Sequence, residues 1–207
     1  MMELGQPMHA FDKALVNAIE VKMLENPTDF MTLDGNTRHI DTETLMICDE
    51  TKPIAIAGIM GGENTEIREN TNSLLLESAT FDTVTIRKAT TRLGLRTDAS
   101  TRYEKTLDPE LTTLAIARYI KLLKEMDENV QITSSLTDVY LKKYDSIVID
   151  INEEYISRRI GQKVDSDTIE QILKSLQFKV ERNGDEFKIT VPSYRATKDV
   201  TNKADIL

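Results

Sequence analysis

The chain is poor in the residues that would announce a disulfide scaffold, a metal centre or a membrane protein. Its one cysteine, Cys48, cannot close an internal disulfide, which fits a reducing cytosol. Its two histidines, His9 and His39, stand far from each other and from Cys48, so no zinc-ligand spacing exists. There is no run of about 18 apolar residues, so the pattern excludes a membrane-spanning helix. The opening MMELGQPMHAFD lacks the basic and apolar regions of a secretory signal. Positive charge is also short: the net charge is −9, which argues against nonspecific nucleic-acid binding by the whole surface. Any such contact must come from a local patch.

What is present is an ordinary globular composition, 40% hydrophobic and 29% charged over 207 residues, enough for one large domain or two small ones. One stretch stands out, Leu74 to Pro109, LLLESATFDTVTIRKATTRLGLRTDASTRYEKTLDP. An apolar strand, Leu74 to Leu76, runs straight into Glu77. Between Arg87 and Lys105 stand six basic residues (Arg87, Lys88, Arg92, Arg96, Arg102, Lys105) against two acids, Asp98 and Glu104. A positive island on an acidic chain, beside small hydroxyl residues and a strand-end carboxylate, suits a polyanion whose end is handled chemically. The plainer alternative is an exposed amphipathic helix with solvated Arg and Lys.

Along the chain, residues 1 to 15 read as irregular, broken by Gly5 and Pro7. Strands are expected at Ile19–Leu24, at Phe30–Leu33 and Thr37–Ile40 as a hairpin through Asp34-Gly35-Asn36, at Thr44–Cys48, and at Pro53–Met60 ending on Gly61-Gly62. Those glycines suit either a plain turn or a pocket wall made of backbone. Thr83–Thr91 is expected to be helical, and Asp108-Pro109 to start a core-facing helix to Met126 with Leu111, Ala115 and Tyr119 in its stripe. A new unit begins after Leu141–Ser146. It holds a strand at Ile147–Ile151, a helix Glu153–Ile160 capped by Asn152, and a helix from a capping box at Asp167 through Leu176. A hairpin follows, turning at Asn183-Gly184 with a type I′ signal. The fold class is α+β: a mixed β-sheet domain at 1–141 and a small winged-helix-like domain at 147–207.

Several ordered motifs carry a family resemblance: Gly5-Gln6-Pro7-Met8-His9-Ala10-Phe11-Asp12, Ile56-Ala57-Gly58-Ile59-Met60-Gly61-Gly62, and LLESATF, RLGLRTDAS, RYEK and LDP. Together they resemble the B3/B4 editing domain of the bacterial-type phenylalanyl-tRNA synthetase β subunit. Arg159-Ile160-Gly161, Ile172 to Phe178, and Val191-Pro192-Ser193-Tyr194-Arg195 with Asp199 and Asp205 resemble its B5 domain. Two departures are Gln177, where the family commonly has glycine, and two extra residues between Arg195 and Asp199. The resemblance implies that the chain is part of a larger subunit, with Met2-Glu3-Leu4 already inside the editing domain and a helix stopped in its first turn at Leu207.

The resemblance also implies roles. The glutamate matching Glu77 recognises the phenolic hydroxyl of tyrosine wrongly esterified to phenylalanine tRNA. A buried carboxylate is costly unless something donates to it, and tyrosine can donate where phenylalanine cannot, a discrimination of roughly 10⁴ or more. Taken alone, Glu77 also reads as a helix cap or an ion-pair partner. His9, which alone reads as a packed histidine, is placed with Thr97 in the catalytic part of the pocket, positioning the ester or its attacking water. His39 reads as structural. Gly61 and Ala99 leave room for the substrate, with Thr97 and Ala99 in a hydroxyl-rich loop. Arg87, Lys88, Arg92, Arg96 and Arg102 steer the acceptor end of the tRNA, although several could pair with Asp98 and Glu104. Asp199 and Asp205 begin a magnesium site that is incomplete without two further glutamates. Editing needs no cofactor, whereas the full α2β2 cytoplasmic synthetase, with its α subunit, uses ATP and magnesium. The rival readings are a non-catalytic scaffold and, more weakly, a nucleic-acid-binding module, since the second unit is of mixed charge and has no basic recognition helix.

Overall fold

A computed structural model of the chain describes residues 1–141 and 143–207, which divide into two units, Met1–Val130 and Gln131–Leu207. The described residues of 131–146 carry no helix or strand; within the expected boundary at Leu141–Ser146, Lys142 lies outside the described residues. The α+β expectation holds: among the described residues there are eleven strands in four sheets and six α-helices. Among the described residues no helix is long and apolar enough to cross a membrane.

In the first unit the elements are β1 (His9–Asp12), β2 (Glu20–Met23), β3 (Thr28–Met31), β4 (Thr37–Ile40), β5 (Leu45–Cys48), β6 (Pro53–Ile56), β7 (Met60–Gly61), β8 (Leu74–Glu77), α1 (Thr83–Leu93), α2 (Asp98–Tyr103) and α3 (Leu111–Met126). Strands β2, β5, β6 and β7 form an antiparallel sheet in that order, β3 and β4 a hairpin, and β1 and β8 a separate two-stranded ladder. The core gathers Phe11, Ile40, Met46, Ile54, Ile56 and Ile86, all essentially inaccessible. Strands β5 and β6 read as near-continuous apolar runs because both faces are covered.

Four expectations here are corrected. Residues 9–12 are a strand rather than irregular, since β8, far along the chain, supplies the missing hydrogen-bonding edge. Pro53–Met60 is not one strand: Gly58, at φ +67°, turns the chain so that β7 folds back on β6 and pairs Gly61 with Ala55. The segment after Arg96 is not a loop but α2, begun by a capping box in which Thr97 and Ser100 satisfy each other's backbone N–H groups. Asp108 accepts from the Glu110 amide at 3.0 Å, so it caps a turn before α3, which buries only Ala115 fully and leaves Leu114 and Leu122 exposed.

The second unit contains β9 (Val148–Asn152), α4 (Glu153–Ile160), α5 (Ser166–Ser175), β10 (Lys179–Asn183), β11 (Glu186–Thr190) and α6 (Ser193–Ala196). The hairpin belongs to a three-stranded sheet β10-β11-β9, with β11 at its centre, over a core of Ile149, Ile156, Leu173, Phe187 and Ile189. Asn152 caps α4 as expected, but α5 is capped by Asp165, two residues before the expected Asp167. In the hairpin the turn residues are Gly184 and Asp185, and only Gly184 has positive φ, so it is not the type I′ turn the Asn-Gly pair suggests.

Candidate functional site

The β1–β8 register sets His9 directly opposite Glu77, across 68 residues of sequence. Cross-strand partners project to the same face, so imidazole and carboxylate stand side by side at one end of the ladder. Burial pushes the Glu77 carboxyl from its ordinary 4.5 up to about 7. Among the described residues no group donates a hydrogen bond to it and no cation offsets its charge. Burial also lowers the His9 imidazole, so its neutral form dominates at pH 7. The ring packs edge-on against Phe11, with centroids 4.5 Å apart.

Beneath His9 lies Gly61. A Cβ there would come within 2.7 Å of His9 Nε2 and 2.5 Å of its Cε1, so only glycine lets the ring rest on the β7 backbone. The glycine matters here for close approach, not for unusual φ. Together with Met8, Ile47, Ile59, Met60, Ala99 and Tyr103, these residues enclose a small cavity of about 70 Å³. Met8 and Met60 are the lining side chains most able to swing aside for a larger guest.

Helix α2 positions the far wall. The Thr97 hydroxyl donates to the Ile59 carbonyl at 2.8 Å and accepts from the Ser100 amide at 3.1 Å. It therefore locks the start of α2 to the β6–β7 turn and sets Ala99, in the first helical turn, against the cavity. With its proton so engaged, Thr97 does not itself line the cavity. His39 is exposed and pairs with Asp29.

The structure also holds two side chains to which sequence reasoning gave no role. Gln6 and Tyr103 are buried, and both hydrogen-bond to the carbonyls of Pro7 and Ala79. Their signal was present, since both lie within quoted motifs, but no local spacing links residue 6 to residue 103.

The basic residues are not equivalent. Arg92 is held by Asp41 and Glu43, each at 2.8 Å, Arg96 by Glu104, and Arg102 by the Asp98 carbonyl at 3.0 Å. Arg87, Lys88 and Lys105 are exposed and, among the described residues, make no ion pair. In the second unit Asp199 pairs with Arg195, and Asp205 accepts from the amides of Thr201 and Asn202. Both carboxylates are thus in use within the chain, and no group of three or more His, Cys, Asp and Glu gathers among the described residues to hold a metal. A larger cleft of about 480 Å³ in that unit is lined by Asp150, Tyr155, Glu181, Arg182, Lys188 and Lys203. There Lys188 sits between Glu181 and Asp150 in the strand register, a solvated charge ladder rather than a converging site.

The small pocket thus sets one unpaired carboxylate and one neutral imidazole over a glycine floor, among mostly apolar side chains. Residues 1–128 match the B3/4 domain, and the chain belongs to that family. Residues 149–207 match the tRNA synthetase B5 domain. The whole chain is 38% identical to the phenylalanine–tRNA ligase beta subunit of Clostridium acetobutylicum and 39% to that of Carboxydothermus hydrogenoformans, covering 26% of each. It is 36% identical to that of Porphyromonas gingivalis, over 99% of this chain and 25% of the relative. The chain thus spans about a quarter of the length of the curated relatives it matches. A solved N-terminal fragment of the phenylalanyl-tRNA synthetase beta subunit from Pyrococcus horikoshii is similar at 14% identity and a TM-score of 0.47, covering 96% of this chain and 57% of that one, too distant to carry an argument.

Proposed function

We propose that this chain hydrolyses tyrosine wrongly esterified to phenylalanine tRNA, as the editing part of a phenylalanine–tRNA ligase β subunit. One observation carries the reading: Glu77, half-buried and without a donor, stands opposite His9 in the β1–β8 ladder. The tyrosine hydroxyl supplies the missing donor, and phenylalanine leaves the carboxylate unpaired, which is the direction editing requires. Water adds to the ester carbonyl, the bond to the terminal ribose oxygen breaks, and that oxygen takes up a proton as tyrosine leaves. Neutral His9, resting on Gly61, orients the ester or the water; with an ester already activated, orientation supplies much of the rate. Thr97 holds α2 in place, and Ala99 leaves the space the substrate fills.

Arg87, Lys88 and Lys105 are the side chains of the basic island that are exposed and without an ion pair among the described residues, and so free to meet tRNA phosphates. The full ligase would add the α subunit, ATP and magnesium, and would work in the cytoplasm on phenylalanine tRNA. Asp199 and Asp205, already satisfied within the chain, do not fit a magnesium site as they stand, and no step of editing is assigned to a metal.

Ala99→Trp tests the site. It is expected to leave the circular dichroism spectrum unchanged and to lower deacylation of tyrosyl-tRNA specific for phenylalanine at least tenfold. Undiminished hydrolysis would move the reaction out of this pocket.

A further inference from the structure

His9 and Glu77 form the last pair of a ladder only four pairs long, and that ladder belongs to no larger sheet. Two-stranded ladders are marginal in water, and their end pairs open first. A site built on such an end needs something to keep it closed. Just beyond the end pair, the main chain entering β1 passes through Pro7, and the main chain leaving β8 passes through Ala79. Both carbonyls are gripped by the same two side chains. Tyr103 Oη lies 3.0 Å from the Ala79 carbonyl and 3.2 Å from that of Pro7, sharing its proton between them. Gln6 Nε2 lies 2.7 Å from the Ala79 carbonyl, 3.1 Å from that of Pro7 and 3.3 Å from the Tyr103 hydroxyl.

The clamp is itself anchored. Gln6 is 1% exposed and Tyr103 3% exposed, so water does not compete for these bonds. The Tyr103 ring meets Phe81 edge-on at 5.0 Å and packs over Gly58, where a Cβ would approach it to 3.0 Å. The ring also forms part of the cavity wall beside Glu77.

We propose that Gln6 and Tyr103 are positioning residues for editing: by clamping the Pro7 and Ala79 carbonyls they keep the His9–Glu77 pair from fraying, and so fix the separation on which selection of the tyrosine hydroxyl depends. Burial, reinforced by the nearby Glu77 charge, raises the Tyr103 phenol well above its ordinary range, so it stays a donor at every working pH. The proposal rests on the editing reading for its consequence, but its physical content is separable.

The test uses Tyr103→Phe and Gln6→Met in the intact protein, with two readouts. Residue-resolved amide hydrogen exchange is expected to rise at least tenfold at the open end of the ladder, around His9 and Glu77, and to stay unchanged at Phe11 and Leu75. In steady-state deacylation, kcat for the tyrosyl ester should fall about tenfold with KM within twofold, and the tyrosyl-to-phenylalanyl preference should shrink with it. Exchange at the open end that matches the wild type in both variants would overturn the clamp. Faster exchange there with kcat and preference intact would overturn its positioning role. A wild-type protein that hydrolyses neither ester, while the variants fray as expected, would sink the editing reading and leave the clamp standing as a structural device.

Discussion

Glu77 is where the free-energy cost of the site is concentrated. Its folded-state value of about 7 lies above the ordinary 4.5, so the folded chain binds more protons than the unfolded chain between those values. Stability from this group is therefore fully present below about pH 4.5 and is lost as pH rises through about 7. The shift corresponds to up to about 3 kcal/mol, and the carboxylate's partial exposure brings this to about 1–2 kcal/mol. Glu77→Gln is expected to stabilise the chain by about that much at pH 8 and by nothing at pH 4, measured by urea denaturation at the two pH values. A gain of equal size at both would show that the cost is packing rather than charge. The strand end and its acid were legible in the sequence. The opposition of Glu77 to His9 was not, because register between segments 68 residues apart is decided by tertiary packing that no local pattern records.

At the scale of elements, local chemistry predicted well wherever one turn of chain decided the outcome. Asn152 capping α4 is such a case, and so is Gly161 ending it at φ +84°. It failed where a neighbour decided: the fold-back of β7 depends on one glycine inside an otherwise strand-like run, and α2 looked like a loop because it is only six residues long. Gln177 marks a different kind of departure, from what its own residue type favours. It follows α5 at φ +67°, the left-handed region that favours glycine, and its side chain accepts a hydrogen bond from Tyr194 at 2.8 Å. Releasing that strain outweighs one exposed hydrogen bond, so Gln177→Gly is expected to stabilise the second unit by about 0.5–1 kcal/mol. Thermal unfolding checks it, and a fall in melting temperature would mean the Tyr194 contact matters more than the backbone.

For the molecule as a whole, charge separates two tasks. The chain is acidic, so on the proposed editing reading contact with tRNA would run through the exposed members of the basic island. Removing Arg87 or Lys88 is expected to weaken tRNA binding and to lower the slope of log affinity against log salt by about 1 each. Arg92→Ala should leave that slope unchanged and instead lower the melting temperature, because its partners are Asp41 and Glu43. A slope change for Arg92 equal to that for Arg87 would merge the two groups. The basic island itself could be counted from the sequence, but which of its members were free could not, since the acids that occupy Arg92 lie some fifty residues earlier.

The central claim is that Glu77 selects tyrosine by its hydroxyl. Deacylation of tyrosyl-tRNA and phenylalanyl-tRNA, both on phenylalanine tRNA, by the wild-type chain and Glu77→Ala tests it most directly. The account predicts rapid, selective hydrolysis of the tyrosyl ester by the wild type, and loss of most of that preference in the variant, with the phenylalanyl rate little changed or raised. An unaltered preference in Glu77→Ala would contradict it, and a folded wild type that hydrolyses neither ester would mark this chain as scaffold.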